Sequence, residues 1–329
     1  MNKAWALIIT AVALFVFPGS VFAKKSVLVV ESYNAEFPWD ASYKKALEDS
    51  LGADYRLDFF EMDTKRVPKN QHQKMADMAW EKYLSLKPDL VILGDDAALK
   101  FLAPRFSETK TPIVYLGINN NPRAYLPKTA TNFTGVLERP LLKRSVVFIK
   151  SLLPAAKKIL ILFDTNVTSE IVKKEVFEDK DSIEIGDLLI DLKMLGELKS
   201  WQETVASTKG EYDAIVVGLY QAVVDAEGKP VNAEELITWV SQNSPVPLFA
   251  FWDFAVGATK TIGGQVIYGK DMGVLASGLV KNILEEGKSP KDLRPIFNDQ
   301  GLFLFSKAQL AKWKLTLPAH ISSSATLTD

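Results

Sequence analysis

The sequence contains no cysteine, and only two histidines occur among its 329 residues. Disulfide bonds, thiolate metal sites and a lipid anchor on a cleavage-site cysteine are therefore excluded. His72 and His320 are far apart and lie in polar or terminal surroundings, so no transition-metal centre is expected. We predict neither a metal nor a cofactor.

An excess of charge of either sign is also missing. The 39 lysines and arginines nearly balance the 40 aspartates and glutamates, and the formal net charge is −1. Such a balance provides no electrostatic attraction for nucleic acid or for an anionic membrane surface. Neither is expected as a partner.

Catalytic and nucleotide-binding motifs are missing as well. There is no G-x-S-x-G elbow, and no glycine fingerprint follows the first strand-like run, Ser26–Val30. The Gly-Lys-Ser of residues 286–290 lacks the earlier glycine of a P-loop, because Asn282 stands in its place. No nucleophile with a matching base is evident, so we predict a protein that is not an enzyme. Chemical turnover of a bound compound would instead indicate an enzyme.

The first 23 residues have the pattern of a cleavable secretory signal peptide. Lys3 precedes an apolar run from Ala4 to Phe17, and the segment ends in the small residue Ala23. An uncleaved anchor is the alternative, but Pro18 interrupts an apolar run that is already short for a membrane span. The expected location is the periplasm, and free secretion is the alternative.

Short apolar runs alternate with segments of helical spacing along the rest of the chain. Strands are expected at residues 26–30, 55–62, 89–94, 111–117, 157–164, 182–190, 212–218 and 246–251. Their continuous apolar character is typical of parallel strands covered on both faces. The pattern predicts two α/β units with a boundary near residues 131–140, followed by a frayed tail at residues 321–329.

Polar and aromatic residues follow the apolar strands of the first unit. In open α/β sheets the ligand crevice lies beyond the carboxyl ends of the strands. This rule selects Tyr33, Asn34, Asp95, Asp96, Asn119 and Asn120, together with Phe37 and Trp39 of the ring-rich stretch after the first strand. Helix caps, turns and packing of the next helix are alternative roles for these side chains.

The second unit has a matching set of strand-end residues. Asp164 and Asn166 follow one strand, Tyr220 follows another, and Trp252 and Asp253 follow a third. Capping by Asp164 and Asn166 and core packing of Trp252 are the alternatives. If the two units face each other, both sets line one cleft for a small ligand.

Several ordered stretches resemble the substrate-binding proteins of ABC transporters with the type I periplasmic-binding fold. They are TPIVYLGINNNP, NFTGV, SVVFIKSLLPAAKKILILFD, YDAIVVG and PVPLFAFWD. The similarity is greatest to a group of mostly unassigned specificity that includes aromatic amino acid binders. The ring-rich stretch Glu31–Leu47, together with Glu61–Arg66 and the asparagine-rich loop Asn119–Asn121, is also similar to extracytoplasmic sensor domains of histidine kinases and diguanylate cyclases.

The resemblance implies two Rossmann-like lobes with parallel sheets joined by a hinge. Lobe 1 would comprise residues 24–135 plus 262–292, and lobe 2 residues 136–261 plus 293–329. A monomer would capture a small organic ligand between the lobes, with an amino acid expected and a sugar as the alternative. Its partner would be an ABC permease or, alternatively, a membrane sensor protein.

Overall fold

The computed structural model describes residues 24–298 and 301–329. The predicted signal peptide, residues 1–23, lies outside the described residues. None of the described helices is long and apolar enough to cross a bilayer.

A six-stranded sheet forms the centre of the first lobe, and all its strand pairs are parallel. Alternate residues of its strands are buried on opposite faces of the sheet, which explains the continuous apolar runs in the sequence. In spatial order the strands are β12 (Ile296–Phe297), β5 (Phe133–Leu137), β4 (Ile113–Ile118), β3 (Leu90–Gly94), β1 (Lys25–Glu31) and β2 (Tyr55–Glu61).

A five-stranded sheet forms the centre of the second lobe. Its pairs are parallel except for the antiparallel pair at one edge. In spatial order the strands are β10 (Leu248–Ala250), β9 (Ala214–Val217), β6 (Lys158–Phe163), β8 (Leu188–Met194) and β7 (Ser182–Ile185).

A small third sheet lies beside β10 and completes the second lobe. Its strands are β11 (Gly263–Val266), β13 (Leu302–Ser306) and β14 (Thr326–Thr328). The chain thus returns to the first lobe after β11 and comes back after β12. The residue limits predicted for the two lobes stay a prediction.

Helices flank both sheets. Those of the first lobe are α1 (Pro38–Leu51), α2 (His72–Leu86), α3 (Asp95–Phe106) and α8 (Gly269–Leu284). Those of the second are α4 (Leu142–Leu152), α5 (Val167–Phe177), α6 (Leu198–Ser207), α7 (Ala233–Asn243), α9 (Lys307–Trp313) and α10 (Ala319–Ser322). Parallel sheets with helices on their faces confirm the predicted fold class.

Two local expectations were wrong. Residues 182–190 form a hairpin, β7 and β8, because Gly186 adopts a positive φ of 63° and turns the chain. The tail is not frayed, because β14 pairs with β13 and its backbone groups gain partners that sequence polarity does not reveal.

Helices α1 and α8 pack closely at one glycine. A Cβ atom on Gly273 would lie 2.4 Å from the Tyr43 carbonyl oxygen and 2.7 Å from the Ala46 Cβ. Gly278, on the same helix, is exposed and has nothing within 4 Å of the corresponding position. The packing, and not the helix itself, therefore requires glycine at position 273.

We expect Gly273→Ala to lower the free energy of unfolding by about 1–3 kcal/mol, because the added methyl group must push α1 away from α8. Gly278→Ala is the matched control and should raise it by up to about 1 kcal/mol, because alanine favours helix. Urea unfolding measures both. Equal effects of the two substitutions would contradict the close packing.

Candidate functional site

The carboxyl ends of the two central sheets face each other across a narrow cleft. The cleft contains a cavity of about 20 Å³, room for one or two water molecules. Eleven residues from both lobes line it: Tyr33, Phe37, Trp39, Lys65, Asp95, Asn119, Glu138, Thr168, Leu219, Trp252 and Phe254.

Aromatic rings form the apolar walls. The rings of Tyr33 and Phe37 are nearly perpendicular, with centroids 5.2 Å apart. Phe37 meets Phe254 of the second lobe at 5.9 Å, and Phe254 stacks on Trp252 at 6.2 Å. The rings therefore make a continuous surface from one lobe to the other, of the kind that flat organic ligands use.

Polar contacts also cross the cleft. The Tyr33 hydroxyl lies 3.4 Å from Oγ1 of Thr168, in the first turn of α5. Nε1 of Trp252 donates to Oε1 of Glu138 at 2.7 Å. These two contacts join the lobes on either side of the cavity.

Glu138 follows β5, where the chain leaves the first lobe, and is only 3% exposed. Its Oε2 accepts a hydrogen bond from Nδ2 of Asn119 at 2.9 Å, while its Oε1 accepts the one from Trp252. Burial raises the pKa of Glu138 to about 8, although both hydrogen bonds and Lys65 favour the ionised form. Glu138 therefore titrates within the physiological range.

Asp95 is the first residue of α3 and has a strained left-handed backbone with a φ of 64°. Its side chain is 2% exposed, and Oδ2 has no hydrogen-bond partner among the described residues. Burial raises the pKa of Asp95 well above its ordinary value, and the carboxylates of Asp40 and Glu138 raise it further. This acceptor lacks a donor at the cavity wall.

Gly117 allows Asp95 to occupy this position. A Cβ atom at residue 117 would lie 2.9 Å from Oδ1 of Asp95, and the φ of Gly117 is 69°. Nε1 of Trp39, near the same point, has no hydrogen-bond partner among the described residues. Asp95, with its unpaired Oδ2, and Trp39, with its unpaired Nε1, thus both lie next to Gly117 in the described part of the chain.

The loop after β4 is held by hydrogen bonds to its backbone, and Asn119 of this loop lies in the cavity wall. Asp96 accepts hydrogen bonds from the backbone N–H groups of Asn119 and Asn120 at 2.9 and 3.1 Å. The Arg139 guanidinium donates to the carbonyl oxygens of Ile118 and Asn119. Oδ1 of Asn119 has no partner among the described residues and is a second unpaired acceptor.

The structure places six of the thirteen predicted site residues in the cavity wall. They are Tyr33, Phe37, Trp39, Asp95, Asn119 and Trp252. That they contact a ligand stays a prediction.

The other predicted residues of the first lobe hold loops together. Asn34 donates to Asp63 at 2.7 Å and accepts from the N–H of Glu36. Asn120 donates to the Tyr125 hydroxyl at 3.0 Å. Neither of these, nor Asp96, lies in the cavity wall, because short polar side chains at strand ends are also the ones that close turns.

The remaining predicted residues of the second lobe lie behind the cleft. Asp164 accepts from the N–H groups of Asn166 and Ala222 and from the Ser169 hydroxyl, and Asn166 caps α5. Tyr220 is buried and packs near Phe254. Asp253 begins a short turn, and burial raises its pKa to about 7.

Five residues of the cavity wall were not predicted from the sequence: Lys65, Glu138, Thr168, Leu219 and Phe254. Glu138 belonged to the stretch interpreted as a boundary, and Thr168 to the turn before a predicted helix. Leu219 directly precedes Tyr220, and Phe254 directly follows Asp253. A wider window after each strand would have included Thr168, Leu219 and Phe254.

The described residues contain no group of three or more His, Cys, Asp or Glu side chains that could hold a metal ion. The cavity wall instead combines carboxylates, an amide, one ammonium and aromatic rings. This chemistry suits a small organic molecule with hydrogen-bond donors and a flat apolar part.

The model of the family described as ABC transporter substrate binding protein matches residues 44–328. A search of curated proteins finds no match.

Similar solved structures include three of bacterial origin. The ABC domain from Streptococcus pneumonia in complex with L-Trp has a TM-score of 0.65 and 19% identity, covering 93% of this chain and 99% of that one. A substrate binding protein with adhesive properties from Clostridium difficile has a TM-score of 0.64 and 16% identity, with coverages of 93% and 99%. A conserved domain protein from Vibrio cholerae has a TM-score of 0.63 and 17% identity, with coverages of 93% and 100%.

Identities this low establish the fold and leave the ligand open. The similarity of nearly full-length chains supports the two-lobed type I periplasmic-binding fold expected from the sequence.

We expect Glu138→Gln to change how stability depends on pH. The folded-state pKa of Glu138 is about 8, against an ordinary value of 4.5. Its stabilising contribution is therefore fully present below about pH 4.5 and is lost as the pH rises through 8, because the folded state retains a proton that the unfolded state releases.

The difference in unfolding free energy, wild type minus Glu138→Gln, should fall between pH 5 and 8 by up to about 1.4 kcal/mol per pH unit. Urea unfolding at pH 5, 6, 7 and 8 measures it. Asp253 and Glu31, each with a pKa raised by burial to about 7, remain in both proteins and cancel in the difference. Parallel pH profiles would contradict the raised pKa.

Proposed function

Because the chain belongs to the family of ABC transporter substrate binding proteins, we propose that it captures an amino acid between its lobes and delivers it to an ABC permease. The observation that carries the ligand class is the cavity wall, in which the buried acceptors Oδ2 of Asp95 and Oδ1 of Asn119 lack donors among the described residues. Buried polar atoms without partners are rare, and a ligand donor would satisfy them.

A protonated amine fits these acceptors. An ammonium group has three donors, and its hydrogen bond to a carboxylate is stronger than one between neutral groups. The positive charge also stabilises the ionised form of Asp95, whose pKa burial has raised. Asp95 and Asn119 would therefore receive the ligand amine.

The remainder of the cavity wall fits the rest of an amino acid. Nε1 of Trp39, a donor without a partner in the described part of the chain, would donate to a carboxylate. The rings of Phe37, Trp252 and Phe254 offer flat surfaces to an aromatic side chain. The structurally similar domain from Streptococcus pneumonia, which contains L-Trp, makes aromatic amino acids the first compounds to test.

Capture would proceed by hinge closure. The contacts of Tyr33 with Thr168 and of Glu138 with Trp252 join the lobes, and they would form as the lobes close. The closed surface would be the form that the permease recognises. Recognition by a membrane sensor is the alternative partner, and a sugar is the alternative ligand.

The ligand class is tested by thermal unfolding of residues 24–329 with amino acids, sugars, purines and carboxylates. A ligand that binds only the folded protein stabilises it by about 2.7 kcal/mol at a hundredfold excess over its dissociation constant. We expect the shift to be largest with aromatic amino acids. A shift with sugars alone would contradict the proposal.

We expect Asp95→Asn to weaken binding of that amino acid by about 10- to 100-fold, because the charged hydrogen bond to the amine is lost. Asp54→Asn is the matched control, since Asp54 is exposed and directly precedes β2, at the end of the strands away from the cleft. Calorimetric titration measures both. Unchanged affinity of the Asp95 variant would show that the amine binds elsewhere.

Members of this family typically act outside the cytoplasm, and we propose that this chain is exported to the periplasm and that its signal peptide is then cleaved behind Ala23. Amino-terminal sequencing of the exported protein should then begin at Lys24. A chain that retains the apolar run Ala4–Phe17 would support the membrane-anchor alternative.

A further inference from the structure

Among the described residues that line the cavity, Lys65 is the only basic one, and the proposed ligand contacts do not use it. It lies in the turn after β2. Backbone hydrogen bonds from Asp63 N–H to the Tyr33 carbonyl and from Thr64 N–H to the Ser32 carbonyl, both 2.9 Å, hold this turn against the end of β1. The backbone is thus fixed, while the side chain has a flexible four-carbon stem.

The Lys65 ammonium lies in an aromatic cage, which we define as the adjacent rings of Tyr33 and Phe37. Its Nζ is 3.7 Å from the ring centroid of Phe37 and 4.4 Å from that of Tyr33. The two rings are nearly perpendicular, so they surround the ammonium from two sides. Cations bind aromatic faces within about 6 Å, and alkylammonium groups commonly use such cages.

Carboxylates surround the cage without pairing to Lys65. Among the described residues no carboxylate oxygen lies within 4.0 Å of the Lys65 Nζ. Burial lowers the pKa of Lys65, and the charges of Asp164, Asp40 and Asp95 act in the opposite direction. The cage therefore combines negative potential with aromatic faces. That combination attracts a cation of any origin.

Lys65 also fills the space that a ligand needs. Only about 20 Å³ remains in the cavity, whereas ligand pockets usually measure about 300–1,000 Å³. Asp95, Asn119 and Thr168 of the wall have short side chains. Tyr33, Glu138 and Trp252 are held by hydrogen bonds. Movement of the Lys65 side chain is thus the simplest local change that frees the cage.

We infer that Lys65 is an internal competitor for the ligand: its ammonium occupies the aromatic cage, and the flat apolar part of the ligand takes over the cage when the Lys65 side chain swings out, while the ligand amine binds Asp95 and Asn119. This inference rests on the proposed function. It narrows the ligands to compounds with a protonated amine beside a flat apolar part, and it predicts that an acid without an amine does not bind.

The competing interpretation gives Lys65 the opposite role, a salt bridge to the ligand carboxylate. The two interpretations predict different effects of removing the Lys65 charge. Loss of a competitor strengthens binding of any amine, whereas loss of a carboxylate partner weakens binding of amino acids only.

The test uses Lys65→Met, which keeps most of the stem and removes the charge. Lys69→Met, four residues away and exposed, is the matched control. Calorimetric titrations use L-tryptophan, tryptamine, which lacks the carboxylate, and indole-3-propionate, which lacks the amine.

We expect Lys65→Met to bind both amines more tightly than wild type, by about tenfold if Lys65 occupies the cage about nine-tenths of the time. Lys69→Met should match wild type, and indole-3-propionate should bind none of the three proteins. Weaker binding of L-tryptophan to Lys65→Met, with tryptamine unchanged, would overturn the inference in favour of the salt bridge.

A second readout needs no ligand. In wild-type protein labelled with ¹³C-lysine, the ring currents of Tyr33 and Phe37 should shift the Lys65 Hε protons far upfield. The shifted signal should be absent from Lys65→Met and present in Lys69→Met. In wild type, added tryptamine should return it to the usual position of lysine Hε protons.

Absence of the shifted signal from wild type would overturn the inference whatever the ligand is. A shifted signal, together with no binding of any indole compound to wild type or Lys65→Met, would support the occupied cage and count against the proposed amino acid ligand. The two failures are therefore distinguishable.

Discussion

Burial of acidic side chains between two facing sheets is the constraint on which this cleft depends. Asp95 and Glu138 are almost inaccessible to solvent, and burial raises the pKa of both. A buried carboxylate becomes tolerable when it is protonated, hydrogen-bonded or close to a cation. Glu138 receives two donors, one from each lobe, whereas Asp95 retains an oxygen at the cavity wall with no donor among the described residues. The cleft is therefore poised to accept positive charge, and the Lys65 ammonium already lies there.

The two lobes hold their cleft loops by the same means. In the first lobe, Asp96 at the end of β3 accepts hydrogen bonds from backbone N–H groups of the loop after the neighbouring strand β4. In the second, Asp164 at the end of β6 accepts one from Ala222, in the loop after the neighbouring strand β9. Each carboxylate ties two adjacent strand-end loops together. The residues that meet in the cavity are consequently held by aspartates that lie behind it.

The strand-end rule located the cleft well but did not separate contact from support. Tyr33, Asp95 and Trp252 line the cavity, whereas Asp96 and Asp164, chosen by the same rule, bind backbone groups. Asp95 and Asp96 are adjacent in sequence and chemically identical. Asp95 has a left-handed backbone and lines the cavity, and the absence of a side chain at Gly117 leaves room for its carboxylate. That difference arises from a contact between distant segments.

The alternation of strands and helices, the parallel sheets and the polar strand ends could be predicted from the amino-acid order alone, because they follow from local apolar periodicity. The absence of cysteine excluded thiolate metal sites in the same direct way. The places of Lys65 and Glu138 in the cavity wall, and of β14 in a third sheet, became evident only from the folded chain. Lys65 comes from a turn and Glu138 from a crossing between lobes, and neither segment has a periodic pattern. Their roles depend on how the lobes face each other, and that arrangement is set by long-range packing.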